Sequence, residues 1–562
     1  MADRIQFNTD PTPTYSVELF PEPGLPPERE RPERTVGVAI SGGGTRSMSA
    51  GMGQIRGLKE LGLLDQVSHI SGVSGGAIFC TLFTYQPYRI SDEEALGPMV
   101  APERLKWWGR GATSLSAAGP NSMTRLVHSF SLEEIAKCVI ELALPGGMSP
   151  ERVWCGALGE VMLKPWGLFK LDPGPHDPIY YSLDEDWVRE TITAHNPRLT
   201  PDRFYLYGHK SRPYLCVGSV IFPRAKRDAA TMLQMESTPF GAGIPGSFPG
   251  AGPDGRDIGG GQIQPFGIES TVHLPDGENR QRIDVPYSPF DLADVIGASG
   301  AGFAGDAVRY VPALDDILPG FKLWPVMNAN DPRNTEHEYI FGDGGLLENT
   351  SITPLLRRQL QSILCFVNGP DPLSIDTTTG ELVVDGSIPP LFGIQPHKAG
   401  HVYTPYKTPE GVPLPPLEEK FESYRNVQVF PQGKFRELVE GFRRAYLAGG
   451  TIMYQQELDV LDSPFFAIRP YKTTVLWFQL SPVPEYERRL RKIVRWMTRL
   501  FSRDYGDFPN YATFGQFHLS ERQINLLANH TAWNVTSDST AGHPGQTNAD
   551  IVRSMFQPAR KT

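Results

Sequence analysis

The sequence predicts an α/β fold with a parallel-rich central sheet, helices on both faces and inserted lid or cap segments. Three observations carry that prediction. Val36 to Ile40 and Val67 to Ile70 are short apolar runs that each empty into a glycine-rich turn with helix-like sequence beyond it. Ser362 to Asn368 and Thr473 to Phe478 are unbroken apolar runs of the kind that buried parallel strands show. Glu338 to Phe341 reads as a strand that stops at Gly342-Asp343-Gly344-Gly345 and so aims a carboxylate at the C-terminal edge of a sheet, where open α/β sheets meet ligands.

Taken in order, residues 1–34 hold Pro11, Pro13, Pro21, Pro23, Pro26, Pro27 and Pro32 among many charges, and read as an extended N-terminal arm. Residues 35–85 form a strand-loop-helix-strand-turn-helix unit that opens a catalytic domain spanning 35–540. An insertion over about 86–210 has helical segments at Leu132 to Leu144 and Leu183 to Thr193. Its aromatic loops carry Trp107, Trp108, Trp154 and Trp166, which form a lid beside the site or fill a subdomain core. Gly241 to Gly261 is dense in glycine and proline and reads as loop. A second insertion, 375–433, is rich in proline, and Phe435 to Leu447 is an amphipathic helix expected to pack on the core. Tyr486 to Arg503 repeats apolar residues at helical spacing between seven arginines and lysines. The alternatives are a helix packed on the core with a solvated basic face, or one at a membrane surface. Residues 541–562 read as a C-terminal tail.

Composition narrows the function classes. The chain has 562 residues, 40% of them hydrophobic, and a formal net charge of −10, which disfavours nucleic acid as a partner. The mean hydropathy of −0.29 is that of a water-soluble globular chain. There is neither a run long enough to span a membrane nor an apolar stretch at the start of the kind a secretory signal needs, so a cytoplasmic or peripherally membrane-bound protein is expected. Cys80, Cys138, Cys155, Cys216 and Cys365 lack metal-ligand spacing and read as free thiols. With no phosphate loop, dinucleotide fingerprint or metal-ligand cluster, no cofactor and no metal are expected.

The two glycine turns supply the chemistry. Gly72-Val73-Ser74-Gly75-Gly76 is G-x-S-x-G, whose glycines allow the tight strand-to-helix turn that lifts a serine hydroxyl out of a sheet. The earlier Gly42-Gly43-Gly44 lacks Cβ atoms, so its N–H groups can converge on an oxyanion. A serine hydroxyl needs a base, and Asp343 is the candidate. His397, His401, His518 and His530 follow Asp343, so the order Ser, acid, His of the α/β-hydrolase triad is also available.

Ser41 to Ser47, Gly72 to Gly76 and Asp343 to Gly345 resemble the three signature blocks of patatin-like phospholipases, in the same order. The Ser74 to Asp343 separation places the resemblance nearest the cytosolic phospholipase A2 (group IV) catalytic-domain branch. Leu346 to Leu356 is similar to that family's asparagine loop and proline-led helix, and Met232 to Gly241 is faintly like a further segment. The resemblance implies a patatin-like three-layer fold and a Ser74–Asp343 dyad that passes an acyl group through an acyl-enzyme. It implies an oxyanion hole at Gly42, Gly43 and Gly44, and an Arg46 that steadies that loop or holds a substrate phosphate. Gly72, Gly76, Gly344 and Gly345 become the elbow and turn glycines. Ser299 resembles the small-residue block before the family's aspartate, where small residues allow close helix packing. The implied substrate is a phospholipid or lysophospholipid at a membrane surface, with hydrolysis as the reaction. A transacylase, or a lipid-binding scaffold on a hydrolase fold, is the alternative. The sequence names no protein activator. With 34 residues before Thr35, calcium recruitment in cis is not expected.

Overall fold

The structure is a computed structural model that describes residues 14–21, 35–144, 147–223, 231–286, 288–303, 318–331, 333–407, 419–513 and 518–557. Fourteen strands build its main sheet. In chain order they are β1 (Thr14–Pro21), β2 (Val36–Ile40), β3 (Val67–Val73), β4 (Tyr214–Phe222), β5 (Leu233–Ser237), β6 (Ala242–Phe248) and β7 (Ile258–Ile263). There follow β8 (Val272–Pro275), β9 (Arg280–Asp284), β10 (Gly320–Leu323), β11 (His337–Asp343), β12 (Ser362–Val367), β13 (Met453–Val460) and β14 (Tyr471–Gln479). The helices that matter for the site are α1 (Gly44–Glu60), α2 (Gly75–Thr84), α3 (Leu292–Ser299), α4 (Thr353–Arg357), α5 (Lys434–Ala448), α6 (Lys492–Leu500) and α7 (Glu521–Thr536).

The strands lie in the order β8-β9-β1-β7-β6-β5-β4-β3-β2-β12-β14-β13, with β11 added on β4 and β10 on β11. Strands β4, β3, β2, β12 and β14 pair in parallel and form the expected parallel centre. An antiparallel wing, β5 to β9 with β1, extends one side of it, and β13 closes the other. The continuous apolar runs have a simple cause. Along β12, Leu364 and Phe366 enter one core while Ile363, Cys365 and Val367 enter the other, because successive side chains of a strand point to opposite faces. Helices cover both faces, so neither set can be polar. Met52 and Ile55 of α1, Ile78 of α2 and Leu527 of α7 fill the first core. Leu355 of α4 with Leu438 and Phe442 of α5 fill the second, which makes α5 the core-packed helix its pattern predicts.

Several expectations are corrected. The proline-rich arm contains β1, a strand of the main sheet: Val17 and Phe20 are buried, and the prolines flank the β-forming run Thr-Tyr-Ser-Val-Glu-Leu-Phe or end it. The glycine-rich stretch expected to be loop holds β6 and much of β7, since glycine lets these backbones approach closely: a Cβ at Gly243 would lie 2.5 Å from the Gly261 carbonyl oxygen. In the first insertion no correction is needed, since the core-filling alternative describes Trp107, Trp154 and Trp166, which are buried, while Trp108 is exposed. The single amphipathic helix expected over Tyr486 to Arg503 is broken. Helix Pro484–Arg489 stops where Leu490 and Arg491 turn extended, α6 follows, and Ser502–Tyr505 makes a further turn. The C-terminal tail includes helix Asn548–Ser554, with Ile551 and Val552 buried. All five cysteines are free. Among the described residues no helix is long and apolar enough to cross a membrane.

Candidate active site

Strand β4 brings the candidate nucleophile and base together. One of its edges pairs with β5, so β3 and β11 must share the other. Strand β3 runs parallel along it and ends with Val73 opposite Gly218; β11 runs antiparallel and ends with Asp343 opposite Ser219. The C-terminal ends of the two strands therefore meet head to head across one register step, which brings together residues 269 positions apart in the chain. Ser74 Oγ donates to Asp343 Oδ2 at 2.7 Å.

Ser74 sits at φ 54° and ψ −129°, a left-handed backbone that a non-glycine residue rarely adopts, as expected of a nucleophile on a sharp strand-to-helix turn. Neighbouring glycines make room for that turn. A Cβ at Gly76 would lie 2.4 Å from the Ile40 carbonyl oxygen, and one at Gly75 would lie 2.2 Å from that of Gly44. The elbow and the glycine loop thus touch backbone to backbone. Gly72, Gly344 and Gly345 are equally enclosed, by Gly76, Gly218 and the Asn349 side chain.

Gly43 caps α1 and Gly44 begins it, and their N–H groups have no acceptor among the described residues, as is usual at the start of a helix. Gly42 differs from expectation: its N–H donates to the Asn349 carbonyl oxygen at 3.0 Å, which fixes the loop and removes Gly42 as an oxyanion donor. Arg46 lies fully buried behind the loop. Its Nε donates to the Asn368 carbonyl at 2.8 Å, and its Nη1 to the Tyr511 carbonyl at 2.5 Å and to Thr513 Oγ1 at 3.2 Å. Thr513 Oγ1 in turn donates to the Gly43 carbonyl at 2.9 Å. Burial lowers the Arg46 pKa to about 10, with Asp385 and Asp371 opposing, so it stays charged at neutral pH. Of the two roles expected for Arg46, these contacts are those of loop support; its guanidinium has no exposed face to offer a phosphate.

Asp343 is 6% exposed, and burial pushes its carboxyl up to about 6, against hydrogen bonds from Ser74, Gly345 and Gly302. A carboxylate so placed is ionised at pH 7 yet more basic than an exposed one. None of the four candidate histidines contacts Ser74 or Asp343 among the described residues. His397 faces Asp376 and Tyr403, His518 packs on His128, and His530 is enclosed by Tyr486 and Phe508. His401 lies exposed in the second insertion.

Sequence reasoning missed one contact. Ser299, at the C-terminus of α3, accepts the Ser74 N–H at 2.9 Å and donates to the Gly218 carbonyl at 2.6 Å. The small-residue pattern found the close packing, since a Cβ at Gly297 would lie 2.4 Å from Cys155 Sγ, but it gives no sign that the hydroxyl turns toward the elbow. Asn349 is the other addition, and its signal was the asparagine after the Asp-Gly-Gly turn.

No protein-family model matches the chain. In sequence it is similar to mouse cytosolic phospholipase A2 zeta, 30% identical over 132 residues, which are 21% of this chain and 14% of that protein. Human cytosolic phospholipase A2 zeta is 47% identical over 132 residues with the same shares, and human cytosolic phospholipase A2 beta 43% over 63 residues, 11% of this chain and 8% of that protein. The matched stretch thus spans about one seventh of the zeta proteins and less of the beta protein. The solved structure of human GIVD cytosolic phospholipase A2 matches with a TM-score of 0.48 at 13% identity, over 94% of this chain and 63% of that one. The same protein in complex with methyl gamma-linolenyl fluorophosphonate and terbium chloride matches with a TM-score of 0.43 at 14% identity, over 94% and 60%. The resemblance carried by the three sequence blocks and the partial likeness in sequence to the zeta and beta proteins both point to cytosolic phospholipases A2.

Proposed function

We propose that the protein is a serine lipid acyl hydrolase, a phospholipase A or lysophospholipase, in which Ser74 and Asp343 act as a catalytic dyad. Ser74 Oγ attacks the ester carbonyl while its proton passes to Asp343 Oδ2. The carbonyl oxygen gains the negative charge and is held by the N–H groups of Gly43 and Gly44, a donor of this kind being worth about 3 kcal/mol. Collapse of the tetrahedral intermediate breaks the ester C–O bond. The leaving alkoxide takes the proton from Asp343, and the acyl group stays on Ser74. Water then repeats the sequence: Asp343 accepts its proton, the oxygen attacks the acyl carbon, and Ser74 Oγ leaves with the proton returned.

The observation that carries this reading is the 2.7 Å contact between a hydroxyl on a strained turn and a carboxylate whose pKa is raised to about 6, beside two unpartnered N–H groups. The phospholipid class rests on the likeness to cytosolic phospholipases A2 in sequence. It is also supported by Leu346, a large apolar side chain left 46% exposed three positions after Asp343.

Incubation with mixed phospholipid vesicles and mass spectrometry of the released acids and lysolipids tests the proposal. Release is expected from the wild type and absent from Ser74→Ala and Asp343→Asn, and a fluorophosphonate probe is expected to label only chains that keep Ser74. Ordinary hydrolysis by Asp343→Asn would remove the carboxylate from the mechanism.

A further inference from the structure

Helix α6 has three faces. Val494 and Met497 are buried, and with half-buried Ile493 they anchor the helix to the core. At 100° per residue, Trp496 and Leu500 lie about 40° apart on one flank, and Lys492 and Arg499 lie beside them on the face turned from the core. Trp496 is 55% exposed and Leu500 56%. Phe501, which ends the helix, stacks on Trp107 at 6.2 Å between ring centroids. Phe501 and exposed Trp108 wall a common cavity of about 590 Å³. Four large apolar side chains thus come to the surface around one short helix, where a water-facing surface normally shows them singly.

The charge around them is opposite to that of the chain. Residues 486–507 hold seven basic side chains against Glu487, Asp504 and Asp507, in a protein with a formal net charge of −10. Arg489 is tied to Glu485 and Asp538. Among the described residues, Arg491, Lys492, Arg495, Arg499 and Arg503 form no salt bridge at all.

We propose that α6 and Trp108 form a docking surface for an anionic lipid bilayer, with Trp496, Leu500, Phe501 and Trp108 entering the headgroup boundary and the free cations pairing with lipid charge. A basic face alone would suit any polyanion; the apolar side chains set among the cations favour a bilayer, which offers both phosphates and a hydrocarbon boundary. The surface is also connected to the glycine loop of the candidate site through residues 511–513. Tyr511 lines the same cavity, its carbonyl accepts from Arg46, and Thr513 holds the Gly43 carbonyl. The inference deepens the proposed lipid hydrolysis and rests on it for its purpose, while the binding itself is measured without catalysis.

The test is sedimentation of Ser74→Ala chains with vesicles of phosphatidylcholine alone or mixed with phosphatidylserine. Binding at least tenfold tighter to the mixed vesicles, weakening with added salt, is expected. Adding Lys492→Glu with Arg499→Glu should weaken that binding at least tenfold, and adding Trp496→Ala with Leu500→Ala should weaken it on mixed vesicles at every salt concentration. The same pairs on the wild-type background should keep their melting temperature and their hydrolysis of a water-soluble short-chain ester. Vesicle binding equal for the two lipid mixtures, or unchanged in both variant pairs, overturns the proposal, as does binding to single-stranded RNA in preference to the mixed vesicles. A wild type that hydrolyses no ester yet binds vesicles through α6 overturns the proposed function alone.

Discussion

Asp343 ties reactivity to stability. Its carboxyl is raised from 3.8 to about 6 by burial, so the folded chain favours its protonated form, and ionisation costs stability once the pH exceeds the unfolded value. That cost grows between about pH 4 and pH 6 and is complete above, where it amounts to about 3 kcal/mol. Activity needs the ionised form, so kcat/KM should fall tenfold per pH unit below about pH 6. In Asp343→Asn the fall in activity should be about a thousandfold or more. Urea unfolding at pH 7 should find that variant at least as stable as the wild type, with the stability difference shifting in favour of the wild type as pH falls from 7 to 4. A difference that ignores pH would show that Asp343 is not buried as a charge. Ser299 is a positioning residue, since it holds the Ser74 amide and touches no reacting atom. Ser299→Ala leaves that buried N–H unpaired, at a cost of about 1–3 kcal/mol in stability. It should lower kcat roughly tenfold with KM little changed, a split that loss of packing alone would not produce.

A buried ion cluster ties β5 to the C-terminal end of α4 and to β7. Glu236 on β5 accepts from Arg358 at 2.8 Å and from Arg357 at 2.5 Å, and from Gln262 on β7 at 2.9 Å. Burial alone would raise the Glu236 carboxyl, but the two guanidinium groups more than offset it and bring it down to about 2. Its contribution to stability is therefore fully present above its unfolded value near 4.5 and is lost progressively as pH falls from there through about 2. Glu236→Gln leaves two buried arginines without their counter-charge, and equilibrium unfolding at pH 7 should record a loss of about 3–5 kcal/mol. The elements on which the site stands were legible to different degrees. The Ser-Gly-Gly-Gly loop, the elbow and the Asp-Gly-Gly turn announce themselves because each needs glycine at a fixed offset, a local constraint. The role of β4 was not legible: nothing in Tyr214–Phe222 says that β3 and β11 share one of its edges. Nor could Gly42 be told from Gly43 by residue type, since the difference lies in whether an Asn349 carbonyl, 307 positions away, already takes the N–H. The break within 486–503 also escaped, because Leu490 and Arg491 are ordinary helix formers whose extended backbone is imposed from outside the segment.

Across the whole molecule the parallel centre was readable and the antiparallel wing was not. Buried parallel strands are apolar without interruption, whereas β6 (Ala-Gly-Ile-Pro-Gly-Ser-Phe) and β7 (Ile-Gly-Gly-Gly-Gln-Ile) look like loop because their neighbours lie too close for side chains. Strand β1 is the piece on which that wing depends. Residues 14–18 pair with β9 and residues 19–21 with β7, so β1 is what links the β8–β9 hairpin to the rest of the sheet. The Asn196 side chain accepts from the Ser16 N–H at 2.7 Å and donates to its carbonyl at 2.9 Å, which also ties the first insertion to this strand. Val17, Leu19 and Phe20 are buried, and at about 1.5–3 kcal/mol for each such side chain they contribute roughly 5–9 kcal/mol. An N-terminal arm could be removed at little cost; a linking strand could not. A chain truncated through Pro21 should therefore melt well below the full-length protein and self-associate, because the exposed edges of β7 and β9 become free to pair with other chains. Differential scanning calorimetry and light scattering decide between the two. Truncation only through residue 13 serves as the control and should leave both readings unchanged. Equal melting temperatures for the two truncations would show that β1 contributes nothing to holding the wing together.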